Sequence, residues 1–206
     1  MKIEGDHVFK GPRQQVWEMF MDPNALAGAL PGTQSLNKIS DTEYEGAVNL
    51  RVGPVSGSFA GKLTLSDLKA PESCTLTGEG KGAPGFAKGV GRMHFTDQGD
   101  NTTLMKYDGE FQIGGTLASV GQRMLDSVSK SMIRQGFESL DKTLEARLAG
   151  HEGNQVEIKA PTETDFAKGV VKDMGKDILK IPEVRMVLYV VPVALVLLLV
   201  AFLLSR

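Results

Sequence analysis

The chain has 206 residues, of which 41% are hydrophobic and 23% are charged, and its formal net charge is −2. Because it carries no basic surplus, the composition argues against a nucleic-acid-binding protein. The single cysteine, Cys74, excludes an intrachain disulfide and fits a reducing compartment. The first residues, from Met1 to Asp6, contain no apolar segment of the kind that directs secretion.

The first predicted elements are a strand and two short helices. Residues 2–10 alternate between apolar and polar side chains, as a strand with one buried face does. Pro12 stands where a helix begins, and the pattern continues that helix to Met21. The Asp22-Pro23-Asn24 segment breaks it and caps a second helix, Ala25 to Leu30.

Strand periodicity follows as far as Gly114. Apolar residues and glycines alternate with charged or polar ones, and polar turns separate the runs, which is typical of antiparallel strands with one wet face. Glycines inside strands let a sheet bend and leave space, and the methionines that accompany them are adaptable side chains. The pattern predicts a meander that includes strands over residues 44–52, 55–65, 73–81, 87–97 and 102–113.

A long helix is predicted over residues 116–148. Its apolar residues form two nearly opposite sides, one in the first half of the helix and one in the second half. Gly136 marks a point where the helix can bend, and ordinary core packing explains the two sides equally simply.

The C-terminal part of the sequence predicts a linker and a membrane anchor. Residues 149–185 form a polar linker with an amphipathic candidate at 165–181, which either lies on an anionic membrane or docks on its own domain. Residues 186–204 form an uncharged apolar run that as a helix spans roughly 28 Å, about the thickness of a bilayer core. Positive charge concentrates before this run, so we expect a single-pass cell-membrane protein whose large N-terminal domain, residues 1–148, lies in the cytoplasm.

No catalytic or metal-binding motif is present. The three histidines lie on separate segments, and no zinc-ligand spacing or serine nucleophile motif occurs. The Gly78–Gly82 segment lacks the spacing of a phosphate-binding loop. The sequence therefore does not indicate an enzyme, and it predicts neither a metal nor a covalent cofactor.

Several motifs, in this order, resemble a known family. They are Asp22-Pro23 with Leu30-Pro31-Gly32, Tyr44-Glu45-Gly46, Val52-Gly53-Pro54-Val55, Gly78-Glu79-Gly80-Lys81-Gly82, and the segment Gly114-Gly115-Thr116-Leu117-Ala118-Ser119-Val120-Gly121-Gln122-Arg123. Together they resemble the carbon monoxide dehydrogenase CoxG family, which is part of the SRPBCC, or START-like, helix-grip superfamily. The resemblance covers residues 1–148 and implies an α+β fold, in which an antiparallel sheet wraps around a long C-terminal helix.

The resemblance also implies a function. It suggests an accessory protein that recruits a molybdenum-containing carbon monoxide dehydrogenase, or a related hydroxylase, to the cytoplasmic membrane. We extend it with the hypothesis that an apolar cavity binds a non-covalent quinone, menaquinone or ubiquinone, and shuttles it in electron transport. The residues expected to line this cavity are Phe20, Leu26 and Leu30 in a lid, Phe59, Leu63, Phe95, Met105, Tyr107 and Phe111 on the sheet, and Leu117, Met124 and Val128 on the helix.

Three other functions remain open at this stage. The cargo can be another lipid or isoprenoid, with no dehydrogenase involved. The cavity can serve as the reaction vessel of a cyclase or hydratase, for which Tyr107, Glu79 and His94 are the titratable candidates. The protein can also be a simple tether with a packed core and no ligand.

Overall fold

The computed structural model of the protein describes residues 1–150. Residues 1–150 form seven strands, three α-helices and one 3₁₀ helix. Their bounds are β1 Lys2–Phe9, α1 Arg13–Met21, α2 Pro23–Ala29, β2 Thr33–Lys38, β3 Glu43–Val52, β4 Val55–Lys69, β5 Ser73–Gly82, β6 Gly85–Asp97, β7 Thr103–Gly114, the 3₁₀ helix Gly115–Val120, and α3 Gln122–Leu148.

The strands form one antiparallel sheet in the order β1-β7-β6-β5-β4-β3-β2. Strands β2 to β7 are a six-stranded meander, and β1 pairs with its last strand. This confirms the predicted α+β fold with a C-terminal helix. The sequence did not mark β2 as a separate strand, because Leu36 is its one apolar residue and the alternation is therefore weak.

One face of the sheet turns toward the helices. Cross-strand partners share a face, and the register places Tyr107 opposite Met93 and Met93 opposite Cys74. Helix α3 crosses this face from the β3–β4 turn, where Met124 lies against Gly53, to the start of α1, where Leu144 lies against Gly11. The helix and the curved sheet therefore enclose the interior between them.

The packed core lies at the β1–β7–β6 end, under α1 and the second half of α3. Aromatic rings meet edge to face there: the centroid of Phe95 is 5.7 Å from Trp17 and 5.2 Å from Phe20. The core cluster contains Phe9, Val16, Trp17, Met19, Phe20, Ala25, Ala29, Cys74, Phe95, Met105, Leu140 and Leu144.

The long C-terminal helix differs from its prediction at its beginning. The chain forms a 3₁₀ helix first, and Gly121, with φ of +86°, separates it from α3. Only glycine adopts this backbone region readily, so the break is local and built into the sequence. Helix α3 then continues through Gly136, whose missing side chain admits the carbonyl of Ala29: an added Cβ would lie 3.3 Å from that oxygen.

Small polar side chains on α3 are buried beside α2. They are Ser131, Gln135, Ser139 and Thr143. Ser139 donates a hydrogen bond of 3.0 Å to the carbonyl of Gly28, and Gln135 donates one of 3.0 Å to Ser131. The Ser139 hydrogen bond and the close approach at Gly136 therefore attach α2 to α3, in addition to the packing of Ala25, Leu26 and Ala29 in or against the core.

Within residues 1–150, no helix is long and apolar enough to cross a membrane. The predicted anchor, residues 186–204, and the predicted amphipathic segment, residues 165–181, lie outside the described part of the chain.

Candidate functional site

An open apolar cavity of about 250 Å³ lies on the helix-facing side of the sheet, away from the packed core. Strands β3 to β6 form its floor, and the floor consists largely of glycine. Most of the side chains around it are apolar: Leu30, Leu36, Val48, Phe59, Leu63, Ala87 and Phe111, with Gly46, Gly61, Gly78, Gly80 and Gly89 between them. Polar and charged residues also border it: Thr33, Ser35, Lys62, Glu79 and Lys88.

The glycines of the floor differ in how much free space lies beside their Cα atoms. A Cβ on Gly80 would meet only the carbonyl of Ala60, at 3.8 Å, so the space above it is open. A Cβ on Gly61 would lie 2.5 Å from the carbonyl oxygen of Glu79, which is too close for any side chain. Gly80 therefore leaves the cavity empty, whereas Gly61 permits the close approach of β4 and β5.

The structure separates the predicted cavity residues into groups. Leu30, Phe59, Leu63 and Phe111 are brought together around the cavity. Phe20, Phe95 and Met105 belong to the packed core, and Leu26 packs against it. Leu117 and Val128 are buried, and Met124 lies against Gly53. A role of these residues in ligand contact stays a prediction.

Tyr107 lies elsewhere, in a second and larger cavity. This cleft of about 890 Å³ opens between β1 and α3. Ile3, His7, Tyr107, Ile133 and Phe137 give it an aromatic and apolar surface, and its remaining lining residues are polar or charged: Lys2, Glu4, Asp6, Gln122, Asp126, Lys130, Arg134 and Glu138.

His7 is held in the cleft by contacts on several sides. Its Nε2 lies 3.0 Å and 3.2 Å from the two carboxylate oxygens of Asp141. Its ring stacks on Phe137 at a centroid distance of 4.7 Å and meets Phe9 edge to face at 4.6 Å. The imidazole orientation is therefore determined by a carboxylate that hydrogen-bonds Nε2 and by two aromatic rings.

The Tyr107 ring packs edge to face on Phe137, at 5.5 Å. Its hydroxyl lies over Gly5, where an added Cβ would be 2.5 Å from the phenolic oxygen. Burial, and next the negative charge of Asp6, raise the pKa of Tyr107. The hydroxyl is thus protonated at neutral pH, and it can donate a hydrogen bond into the cleft.

Sequence reasoning missed His7, Phe137 and Asp141 as site residues. Their chemistry depends on a contact between residues 134 positions apart, which no local spacing reveals. One signal was present: His7 occupies a position in β1 that alternation assigns to the helix-facing side. The other titratable candidates, Glu79 and His94, are exposed. His94 lies on the outer side of the sheet, as the alternation predicts, and Glu79 borders the apolar cavity.

That outer side is solvated and charged. Cross-strand ion pairs join Lys2 to Glu110 at 3.0 Å and Arg92 to Asp108 at 2.9 Å. The hydrogen bond and charge of Lys2 lower the pKa of Glu110, although exposed pairs of this kind stabilise a fold little. In the described residues, no group of three His, Cys, Asp or Glu side chains comes together as a metal site.

The sheet wrapped around α3, with cavities between them, defines a START-like helix-grip protein. The family model for the G subunit of carbon monoxide dehydrogenase (CoxG) matches residues 5–145, and the chain belongs to this family. No curated protein matches the sequence.

Solved structures agree with this assignment. A conserved protein from Geobacillus kaustophilus is 30% identical, with a TM-score of 0.67, and the match covers 70% of this chain and 95% of that one. The Zhui aromatase/cyclase from Streptomyces sp. R1128 is 12% identical, with a TM-score of 0.56, over 72% and 95% of the two chains. A START superfamily protein from Mycobacterium smegmatis is 11% identical, with a TM-score of 0.54, over 70% and 97%. The last two share the fold alone.

Proposed function

We propose that the protein is a membrane-tethered carrier of quinone that works as an accessory to a molybdenum-containing carbon monoxide dehydrogenase or a related hydroxylase. The observation that carries this proposal is the apolar cavity, whose floor is built from glycines and whose walls are Leu30, Phe59, Leu63 and Phe111. A cavity whose surface is mostly apolar favours a flexible apolar ligand.

Family membership and the C-terminal sequence support the other parts of the proposal. The family is named for the dehydrogenase, which makes this enzyme the natural candidate partner. Residues 186–204 are the predicted single-pass anchor in the cell membrane, with the folded domain on the cytoplasmic side. A peripheral dehydrogenase must pass electrons to an acceptor dissolved in lipid, and a tethered carrier of that acceptor provides a route. The carrier itself performs no catalysis in this proposal.

The size of the cavity limits the ligand. At about 250 Å³ it is near the lower end for small-molecule sites, which typically measure roughly 300–1,000 Å³. It accommodates part of a quinone, such as a segment of its isoprenoid chain, rather than a whole molecule. The ligand must therefore extend beyond the cavity.

The carrier of another lipid or isoprenoid is the second candidate, since the same apolar lining fits it. A cyclase or hydratase is less well supported, because the side chains of His94 and Glu79 are both exposed, although Glu79 also borders the apolar cavity.

The first test is the identity of the bound small molecule. The full chain is purified from its natural host, extracted with organic solvent and analysed by mass spectrometry. We expect a quinone in near-stoichiometric amount, and a much smaller amount with Gly80→Leu, which places a side chain in the open space of the cavity. Recovery of a phospholipid or a free isoprenoid instead would favour the second candidate, and an empty protein that binds no added quinone would exclude both.

Recruitment is tested separately. A chain that lacks residues 186–204 is expressed in the same host, and the dehydrogenase is measured in membrane and soluble fractions. We expect the enzyme to shift to the soluble fraction together with the truncated chain. An unchanged distribution would show that the enzyme reaches the membrane without this protein.

A further inference from the structure

We propose that the cleft between β1 and α3 is a separate binding site for the planar, carbonyl-bearing ring of a quinone, with Tyr107 and His7 as hydrogen-bonding groups and Phe137 as the surface on which the ring packs. This inference rests on the proposed function, because it assigns the ligand's head group to the cleft and its isoprenoid chain to the apolar cavity.

The cleft has the surface that an aromatic head group needs. Phe137 stacks on His7 at 4.7 Å and packs against Tyr107 at 5.5 Å, so three rings form one continuous cluster. Planar rings gain contact area and favourable quadrupole interactions on such a cluster. Its polar and charged lining residues, among them Lys2, Asp126 and Lys130, make the cleft unsuitable for a hydrocarbon chain.

The two polar groups complement both oxidation states of a quinone. A quinone carbonyl accepts hydrogen bonds, and the protonated Tyr107 hydroxyl donates one. When Nε2 of His7 donates to the carboxylate of Asp141, the neutral imidazole carries its acceptor on Nδ1. In that tautomer, Nδ1 is the atom of His7 that can accept a hydrogen bond from a quinol hydroxyl.

Strand β7 contributes a residue to each cavity, Tyr107 to the cleft and Phe111 to the apolar cavity. Tyr107 and Phe111 lie on the same face of β7, four residues and thus about 13 Å apart, a distance that a short isoprenoid chain spans. Between them Gly109 lies opposite Gly91, so neither strand places a side chain on this face. The Phe111 ring lies close to Gly89 and Gly109, and it is the side chain that a ligand occupying both sites must contact.

The test distinguishes binding of the head group from binding of the isoprenoid tail by using two probes on the full-length protein. Menadione has the naphthoquinone ring without an isoprenoid tail, and menaquinone-4 has both. Tyr107→Phe removes one hydroxyl and keeps the ring, and Phe137→Leu removes the packing surface. Gly80→Leu, in the apolar cavity, is the matched control.

We expect Tyr107→Phe to weaken menadione binding about fivefold to tenfold, as the loss of one hydrogen bond does. Phe137→Leu should weaken it by a similar factor, and Gly80→Leu should leave menadione unchanged while it weakens menaquinone-4. The infrared carbonyl stretch of bound menadione should shift to higher frequency in Tyr107→Phe, which a purely structural role of this tyrosine would not produce.

Two results would overturn the inference, and they are distinguishable. If both probes bind the parent chain but only Gly80→Leu weakens them, the head group lies in the apolar cavity and the quinone-carrier function stands. If neither probe binds the parent chain, the quinone-carrier function fails, and the assignment of the cleft fails with it.

Discussion

Two regions of the helix-facing sheet surface differ in how they are covered: one is packed against helix side chains and the other borders an open cavity. At the β1–β7–β6 end, Phe95 faces Trp17 and Phe20 from α1 and is 2% exposed. On the central strands, the cross-strand neighbours of the floor are glycines, as Phe59 opposite Gly82 shows, and the apolar cavity is open above them. A single sheet therefore provides a rigid core and an empty binding surface. The division depends on whether a large side chain or a glycine occupies each helix-facing position.

Removal of a core ring should have the largest effect. Phe95→Ala deletes a side chain packed against two aromatic rings, and we expect a loss of about 3–5 kcal/mol in the free energy of unfolding. Phe111→Ala, in the wall of the open cavity, should lose less than half as much, because fewer atoms surround that ring. Denaturant unfolding of both variants measures the difference, and equal losses would contradict the division into core and cavity.

Alanine substitution at two glycines of the cavity floor tests whether the space above the floor is open. In Gly61→Ala the new Cβ meets the Glu79 carbonyl, and we expect destabilisation of about 1–3 kcal/mol. In Gly80→Ala the new Cβ meets no atom nearer than 3.8 Å, so stability should stay unchanged or rise by up to about 1 kcal/mol. Thermal unfolding of the two variants in one buffer compares them directly. A similar loss in both would show that the floor has no open space.

The attachment of α2 should show a smaller effect. Asp22 accepts a hydrogen bond of 2.8 Å from the backbone amide of Asn24, which caps α2, and it also pairs with Arg147 at the end of α3. Asp22→Ala loses both contacts, and we expect destabilisation of about 0.5–2 kcal/mol. Asp22→Asn preserves the cap and loses only the charge, so its loss should be smaller. If the two substitutions have equal effects in denaturant unfolding, the ion pair rather than the cap holds α2.

The smallest expected effect concerns Cys74, and it is visible only in alkali. Burial raises the pKa of this thiol from its ordinary value of 9.0 to about 11. Above pH 9 the unfolded thiol ionises while the folded one stays neutral, so rising pH favours the unfolded state until about pH 11. Between pH 8 and about pH 9.7 we expect the parent chain to lose about 1 kcal/mol more stability than Cys74→Ala, in which this group is absent. Parallel losses in both chains would show that the thiol is accessible to solvent in the fold.

Local patterns in the sequence were enough to predict most of the fold. Alternation assigned Phe59, Leu63 and Phe111 to the helix-facing side, and the Asp22-Pro23 segment marked the boundary between the two short helices. The break at Gly121 was missed, because the apolar spacing continues across it. Strand β2 was not recognised as a separate strand, because it contains too few apolar residues to alternate clearly.

Alternation alone determines which side of each strand is apolar, because side chains of a strand alternate whatever the rest of the chain does. It does not determine which apolar residues fill the core and which border a cavity. Phe95 and Phe111 follow the same alternation, yet the folded chain places Trp17 above Phe95 and leaves Phe111 beside the open apolar cavity. Likewise, His7 and Asp141 meet only because α3 crosses the sheet to β1. A cavity or a long-range pair depends on the partner opposite a residue, and that partner is distant in sequence.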